Sequence, residues 1–216
     1  MLRTARRVLL ALCAVALILS CDGTTPTGPG ESPSYLIDAE YRQNDSSNEA
    51  VVAVFDGSAL YTGTVAATAN GGELPQYAPG ILYGTLASNL APGTSIAFVV
   101  SVNGTELLDG SAVVPGPVEI TAWDTDATLP IDIAWTGPSD VDEYDIYITD
   151  GGAFEYFDYL AGTATSYELP ANTLSTSSSY LLEVSASNVT DITGDQLSFG
   201  SGVAASAYDS VTLDTQ

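Results

Sequence analysis

Two antiparallel β-sandwiches in tandem are what this 216-residue sequence predicts, on three observations. Short apolar or alternating runs are separated by Gly, Pro, Asn and Asp, the punctuation of strands and turns. No stretch after residue 20 carries apolar residues at helical spacing over three turns. The runs also follow one another with no helix between them, which is the order of sandwiches. The class is all-β.

Taken in order, residues 50–55 (AVVAVF) form an apolar run that stops at Asp56-Gly57, a turn pair. Residues 95–102 (SIAFVVSV) put Ile96, Phe98, Val100 and Val102 on one face and end at Asn103-Gly104, a strong hairpin signal. Residues 131–135, 143–149, 180–187 and 205–213 continue the pattern. In 180–187, Tyr180, Leu182, Val184 and Ala186 alternate with Leu181, Glu183, Ser185 and Ser187. Residues 42–48 are polar and read as a turn, which places Arg42 within it. Pro115-Gly116-Pro117 divides the chain into blocks 34–115 and 116–216, each about the ~100 residues of one sandwich. The blocks echo each other. Tyr83, Leu90, Ile96, Val100 and Val102 follow at the same intervals as Tyr167, Leu174, Tyr180, Val184 and Ala186.

The N-terminus reads as an address. Arg3, Arg6 and Arg7 precede an apolar run over residues 8–19, too short to span a bilayer and arranged as a signal peptide. Ile18-Leu19-Ser20-Cys21 then resembles the lipobox of bacterial lipoproteins. The resemblance implies that residues 1–20 are removed and that acyl chains on Cys21 hold the protein to a membrane of the bacterial cell envelope. Whether it sits on the periplasmic or the outer face is left open. Residues 21–33 are then the lipidated cysteine and a Gly/Pro/Thr/Ser-rich tether, too poor in apolar side chains to fold. Once residues 1–20 are removed, Cys21 has no second cysteine to pair with.

The second block resembles a fibronectin type III domain. Trp135 followed by Pro138 matches its B strand, residues 144–148 (YDIYI) its C strand, and residues 174–186 (LSTSSSYLLEVSA) its tyrosine corner and F strand. Thr176 and Ser178 stand where the family has Pro and Thr. The resemblance implies that Trp135 is core and that the Tyr180 hydroxyl bonds backbone upstream. The first block keeps Leu90-Ala91-Pro92-Gly93-Thr94 but has Ile96 in the tyrosine's place, and reads as immunoglobulin-like.

Charge narrows the function. After residue 20 the chain carries 27 Asp and Glu against the single base Arg42, and it has no His. Nucleic-acid binding is excluded, because it rests on Lys and Arg displacing counterions. So is any chemistry that needs a histidine base or zinc ligand. No nucleophile elbow or phosphate loop is present, and we read the chain as non-enzymatic. Two features could bind. Asp140, Asp142, Glu143 and Asp145 form the densest acidic stretch and could supply oxygens to Ca²⁺, although their spacing matches no EF-hand loop. Tyr147, Phe157 and Tyr159 would share an outward face beside carboxylates, suited to stacking on sugar or to a protein contact. The leading expectation is a membrane-anchored, non-catalytic recognition or scaffolding module for a glycan or envelope protein. The alternatives are a Ca²⁺-dependent structural or adhesion module, and a ligand-free spacer. Cys21→Ser is expected to abolish incorporation of labelled fatty acid and release the protein from membranes. Unchanged labelling would remove the lipobox reading.

Overall fold

The computed structural model describes residues 34–216; Cys21, the signal segment and the tether lie outside the described residues. The described chain contains strands and no helix: β1 (Tyr35–Gln43), β2 (Asn48–Asp56), β3 (Ala59–Leu60), β4 (Val65–Ala69), β5 (Gly72–Glu73), β6 (Gln76–Ala78), β7 (Ile81–Gly84), β8 (Ser95–Val102), β9 (Thr105–Val113), β10 (Glu119–Trp123), β11 (Ile131–Thr136), β12 (Glu143–Asp150), β13 (Ala153–Ala161), β14 (Ser166–Leu169), β15 (Ser179–Asp191) and β16 (Gly202–Asp214). The all-β class stands. The β8–β9 hairpin turns at Asn103 and Gly104, with φ of 52° and 79°, the pair of positive values that a two-residue hairpin loop of this twist requires.

Each block folds as a two-sheet sandwich, three strands against four in the second and, with the short β3 and β6 included, five against four in the first. In the second, a sheet of order β10-β11-β14 faces the strands β13-β12-β15-β16. Between them lie Ile131, Ile133, Trp135, Tyr144, Ile146, Ile148, Leu182 and Val184, all buried. Trp135 is 2% exposed with its ring 5.5 Å from that of Tyr144. The Ser175 N–H donates to the Tyr180 hydroxyl at 3.0 Å, the tyrosine corner that the resemblance implied. In the first block, β1, β2 and β7 take the places of β10, β11 and β14, and the sheet β5-β4-β8-β9 faces them over Ile37, Tyr41, Val52, Ile96, Phe98 and Val100.

The two sandwiches are not beads on a string. β1 pairs in parallel with β16, from Asp38↔Gly202 to Gln43↔Ala207, so one sheet of each sandwich fuses into a single sheet of nine strands, with the short β3 paired to β2 off its main path. β15 and β16, thirteen residues each, run beneath both cores. On β16, Leu213 packs in the second core while Val203 and Ala205 pack in the first. The block boundary at residues 115/116 therefore separates the strand sets but does not divide the cores. Ile192 packs against the first core as well. Gly110 on β9 admits it: a Cβ there would stand 2.8 Å from Ile192 Cδ1 and 3.1 Å from Val203 Cγ2.

Residues 42–48 differ from the sequence expectation. Arg42 lies on β1, not in a turn, and the turn is confined to 44–47. There Asn44 Oδ1 accepts from the N–H of Ser46 and of Ser47, both at 2.9 Å. The alternation of Ile37, Ala39 and Tyr41 inward with Asp38, Glu40 and Arg42 on the other face makes this segment a strand, and charge on that face disguises it.

Both tryptophans, Trp123 and Trp135, belong to the second sandwich. Val203→Ala opens a cavity in the first and is expected to cost about 2 kcal/mol. Because β16 threads both cores, urea unfolding followed by tryptophan fluorescence should register that loss as a lower midpoint. An unmoved tryptophan transition would mean that the sandwiches unfold independently.

Candidate functional site

The outward face of the nine-stranded sheet collects the polar and aromatic side chains that strand alternation turns away from the cores. Across it, register aligns Phe157, Tyr147, Glu183 and Ser210 in one row, and Tyr159, Asp145, Ser185 and Tyr208 in the next. A third row runs Ala161, Glu143, Ser187, Ser206, Arg42 and Glu49, crossing from one sandwich to the other.

Arg42, the only base among the described residues, sits at the seam. Its Nη2 donates to Glu183 Oε1 on β15. Nη1 lies 3.6 Å from Glu49 Oε1 on β2 and Nε 3.8 Å from Glu40 Oε1 on its own strand. The guanidinium also stands 4.7 Å over the Tyr208 ring of β16. Burial works against its charge, but Glu183 first, then Glu40, Tyr147 and Glu49, outweigh burial and hold its pKa above the ordinary arginine value. Glu183 is raised by burial, with Arg42 pulling the other way. Beside them Ser187 Oγ donates to Asp145 Oδ2 at 3.3 Å, and Ser206 Oγ to Glu40 Oε1 at 3.0 Å. The two hydroxyls stand 2.9 Å apart. With one proton each they cannot donate all three contacts at once, so they share a polar chain linking β12 to β1.

The ring cluster lies at one end of this face. The Tyr147 and Phe157 centroids are 4.8 Å apart, and Tyr159 meets Phe157 edge-on at 4.5 Å. Phe154 extends the row at 6.3 Å from Phe157. Burial, then the carboxylates of Asp145 and Glu40, raise the Tyr147 pKa far above the ordinary phenol, so the ring stays neutral. Tyr156 and Tyr167 do not belong to the cluster. They turn inward and close the sandwich seam between β13 and β14, where the Tyr167 hydroxyl contacts Tyr156 and donates to Asp158 Oδ2 at 2.8 Å. At the far end of the face lies a second pair that sequence reading missed: Tyr77, 73% exposed, with its ring 6.1 Å from Tyr83. The pair straddles β6 and β7, and neither short strand announces itself in the sequence.

No family model matches the chain. No curated protein matches it either. Among solved structures it is similar to the FN1–FN3 domains of chicken CNTN1, with 14% identity, a TM-score of 0.35, and 87% of this chain and 66% of that one covered. It is similar to a two-domain fibronectin type III segment of chicken tenascin at 14% identity and TM-score 0.32, covering 85% and 99%. A third likeness is to the CbhA fibronectin(III)-like modules of Clostridium thermocellum, at 16% identity and TM-score 0.29, covering 84% and 94%. The chain thus spans just under two thirds of the first of these. At such scores the likenesses add nothing to the strand order, which by itself establishes the sandwiches.

The four acidic residues are dispersed. Asp140 lies in an exposed loop, and Asp142 Oδ2 accepts from the Val189 N–H at 2.7 Å. Glu143 and Asp145 sit on the sheet face, Asp145 only 2% exposed. Among the described residues no three His, Cys, Asp or Glu side chains come close enough to hold a metal ion. A cavity of about 450 Å³ opens where the sandwiches meet, lined by Asn44, Ser46, Asn89, Pro117, Tyr208 and Asp209. Several of these polar groups are engaged internally: Asn89 Oδ1 accepts from Asn48 at 3.1 Å, and Asp209 Oδ2 from the Ile120 N–H at 2.8 Å.

Two measurements follow. CaCl₂ and NaCl at matched ionic strength are expected to raise the melting temperature equally, by screening the acidic surface; a saturable rise with Ca²⁺ alone would contradict this. Glu183, with a raised folded-state pKa, contributes stability that is full below the unfolded carboxyl value of ~4.3 and lost as pH rises through its folded value. Glu183→Gln lacks this titration. The wild type should therefore lose stability relative to the variant as pH rises above the unfolded carboxyl value of ~4.3; a constant gap between the two melting curves would refute it.

Proposed function

We propose that this protein is a non-catalytic lipoprotein of the bacterial cell envelope, anchored through acyl chains on Cys21, that recognises or scaffolds a glycan or another envelope protein. The observation that supports the reading is the Tyr147–Phe157–Tyr159 cluster, three rings in contact on a sheet face away from both cores. A packed core gains nothing from rings placed there, whereas half-buried aromatics beside carboxylates suit contact with a partner that is apolar on one side and hydroxylated on the other. A fused sheet is also a rigid platform, so binding would cost little ordering of the protein. With so many acids and one base, the partner is neutral or basic.

The test is retention of the full chain on neutral polysaccharides and on detergent-solubilised envelope proteins, compared with Tyr147→Ala and Phe157→Ala. Loss of one central ring should weaken binding by about 2 kcal/mol, roughly thirtyfold. Equal retention of wild type and variants would sink the ring face, and no retention of any would leave a spacer.

A further inference from the structure

The nine-stranded sheet has two ends, and they are finished differently. At one, β6 is three residues long and stands between Pro75 and Pro79, which blunts it. At the other, β13 is nine residues long, contains neither Pro nor Lys, and ends the sheet among the described residues. The other edges are short or covered. β5 has two residues, β14 four and β10 five, while β9 is approached by the β15–β16 hairpin, with Asn188 Nδ2 donating to Val113 O at 2.8 Å.

We infer that β13 is a docking edge that takes an extended, basic segment of another protein as an added strand. In an antiparallel ladder every second residue turns its N–H and C=O away from the neighbour. Ser187 O accepts from the Asp142 N–H at 3.0 Å and the Val189 N–H donates to Asp142 Oδ2, so the Glu143–Asp145 row of β12 bonds toward β15, and its partner row on β13, Phe157, Tyr159 and Ala161, is the outward one. The side chains of that row are the aromatic cluster itself, so an added strand would lie beside Phe157. Its chemistry follows from charge. Glu155, Asp158 and Asp150 border the edge. A second copy would bring its own Glu155 and Asp158 against these in any register near full overlap. A strand with Lys or Arg at alternate positions would meet them with opposite charge. The proposal rests on the recognition reading above and narrows the partner to a protein.

The probe is a ten-residue peptide of alternating Lys and Thr, titrated into the full chain by fluorescence anisotropy. Its control is the same peptide N-methylated at alternate residues along one edge, which keeps the charge and removes the strand's donors. Strand addition predicts that N-methylation weakens binding about tenfold or more, through the loss of several backbone hydrogen bonds. It also predicts slower hydrogen exchange at the Phe157 and Ala161 amides when the unmodified peptide is bound. Equal binding of both peptides would show ionic adhesion only and overturn the proposal, as would no binding, or dimerisation of the chain through β13. If glycan or envelope-protein retention still depends on Tyr147 and Phe157 while the peptide fails, the ring face stands and the docking edge falls.

Discussion

The parallel pairing of β1 with β16 is the constraint on which the rest of this structure depends. A two-sheet sandwich normally leaves strand edges open to solvent. Here the edge of one sheet in the first sandwich and the edge of one sheet in the second satisfy each other, across six residue pairs. Two liabilities disappear in one contact. The same pairing fixes the relative placement of the cores, supplies Val203 and Ala205 to the first, and lays the outward side chains of both sandwiches on one continuous surface. Arg42 stands where that surface is joined, bound to carboxylates from β1, β2 and β15. A lone cation among so many acids is placed where the attraction of several strands converges on it.

Much of the strand content was legible from local pattern. β8, β11, β12, β15 and most of β16 alternate cleanly, and the Asn103-Gly104 hairpin closes where its residue pair demands. β1 was not legible as a strand, because its outer face carries Asp38, Glu40 and Arg42, and a charged alternating strand looks like a polar loop until its neighbours are known. The fusion of sheets was not legible at all. It joins residues far apart in sequence, and nothing local in Gly202 to Ala207 declares a parallel partner. The echo between blocks holds on β8 and β15, where Ile96 and Tyr180, Val100 and Val184, Val102 and Ala186 are all buried in their own cores. It fails at its first member. Tyr83 turns to the outer face, whereas Tyr167 packs against the second core beside Ile133.

The candidate site was half legible for a related reason. Alternation on β12 places Tyr147 opposite Ile146 and Ile148, and a hairpin partner brings Phe157 and Tyr159 beside it, so period two suffices. The Tyr77–Tyr83 pair needs β6 and β7, which are too short to show a period. The acidic residues show the opposite limit. Proximity in sequence from Asp140 to Asp145 suggested convergence, but Asp140 and Asp142 lie in the loop before β12, only Glu143 and Asp145 share its outer face, and Asp142 is taken up by a backbone N–H.

The threading of β16 through both cores also sets a clock. The Ile37 N–H is capped by the Ser201 hydroxyl, 164 residues later in the chain. The first sandwich therefore lacks the strand that completes it until nearly the whole chain is available to fold. During that interval β1 and β2 can pair as a hairpin, but the outer edge of β1 has no neighbour. The N-terminal half of this protein comes first in the chain yet is finished last, and like charge between acidic copies works against mispairing at that edge until β16 arrives.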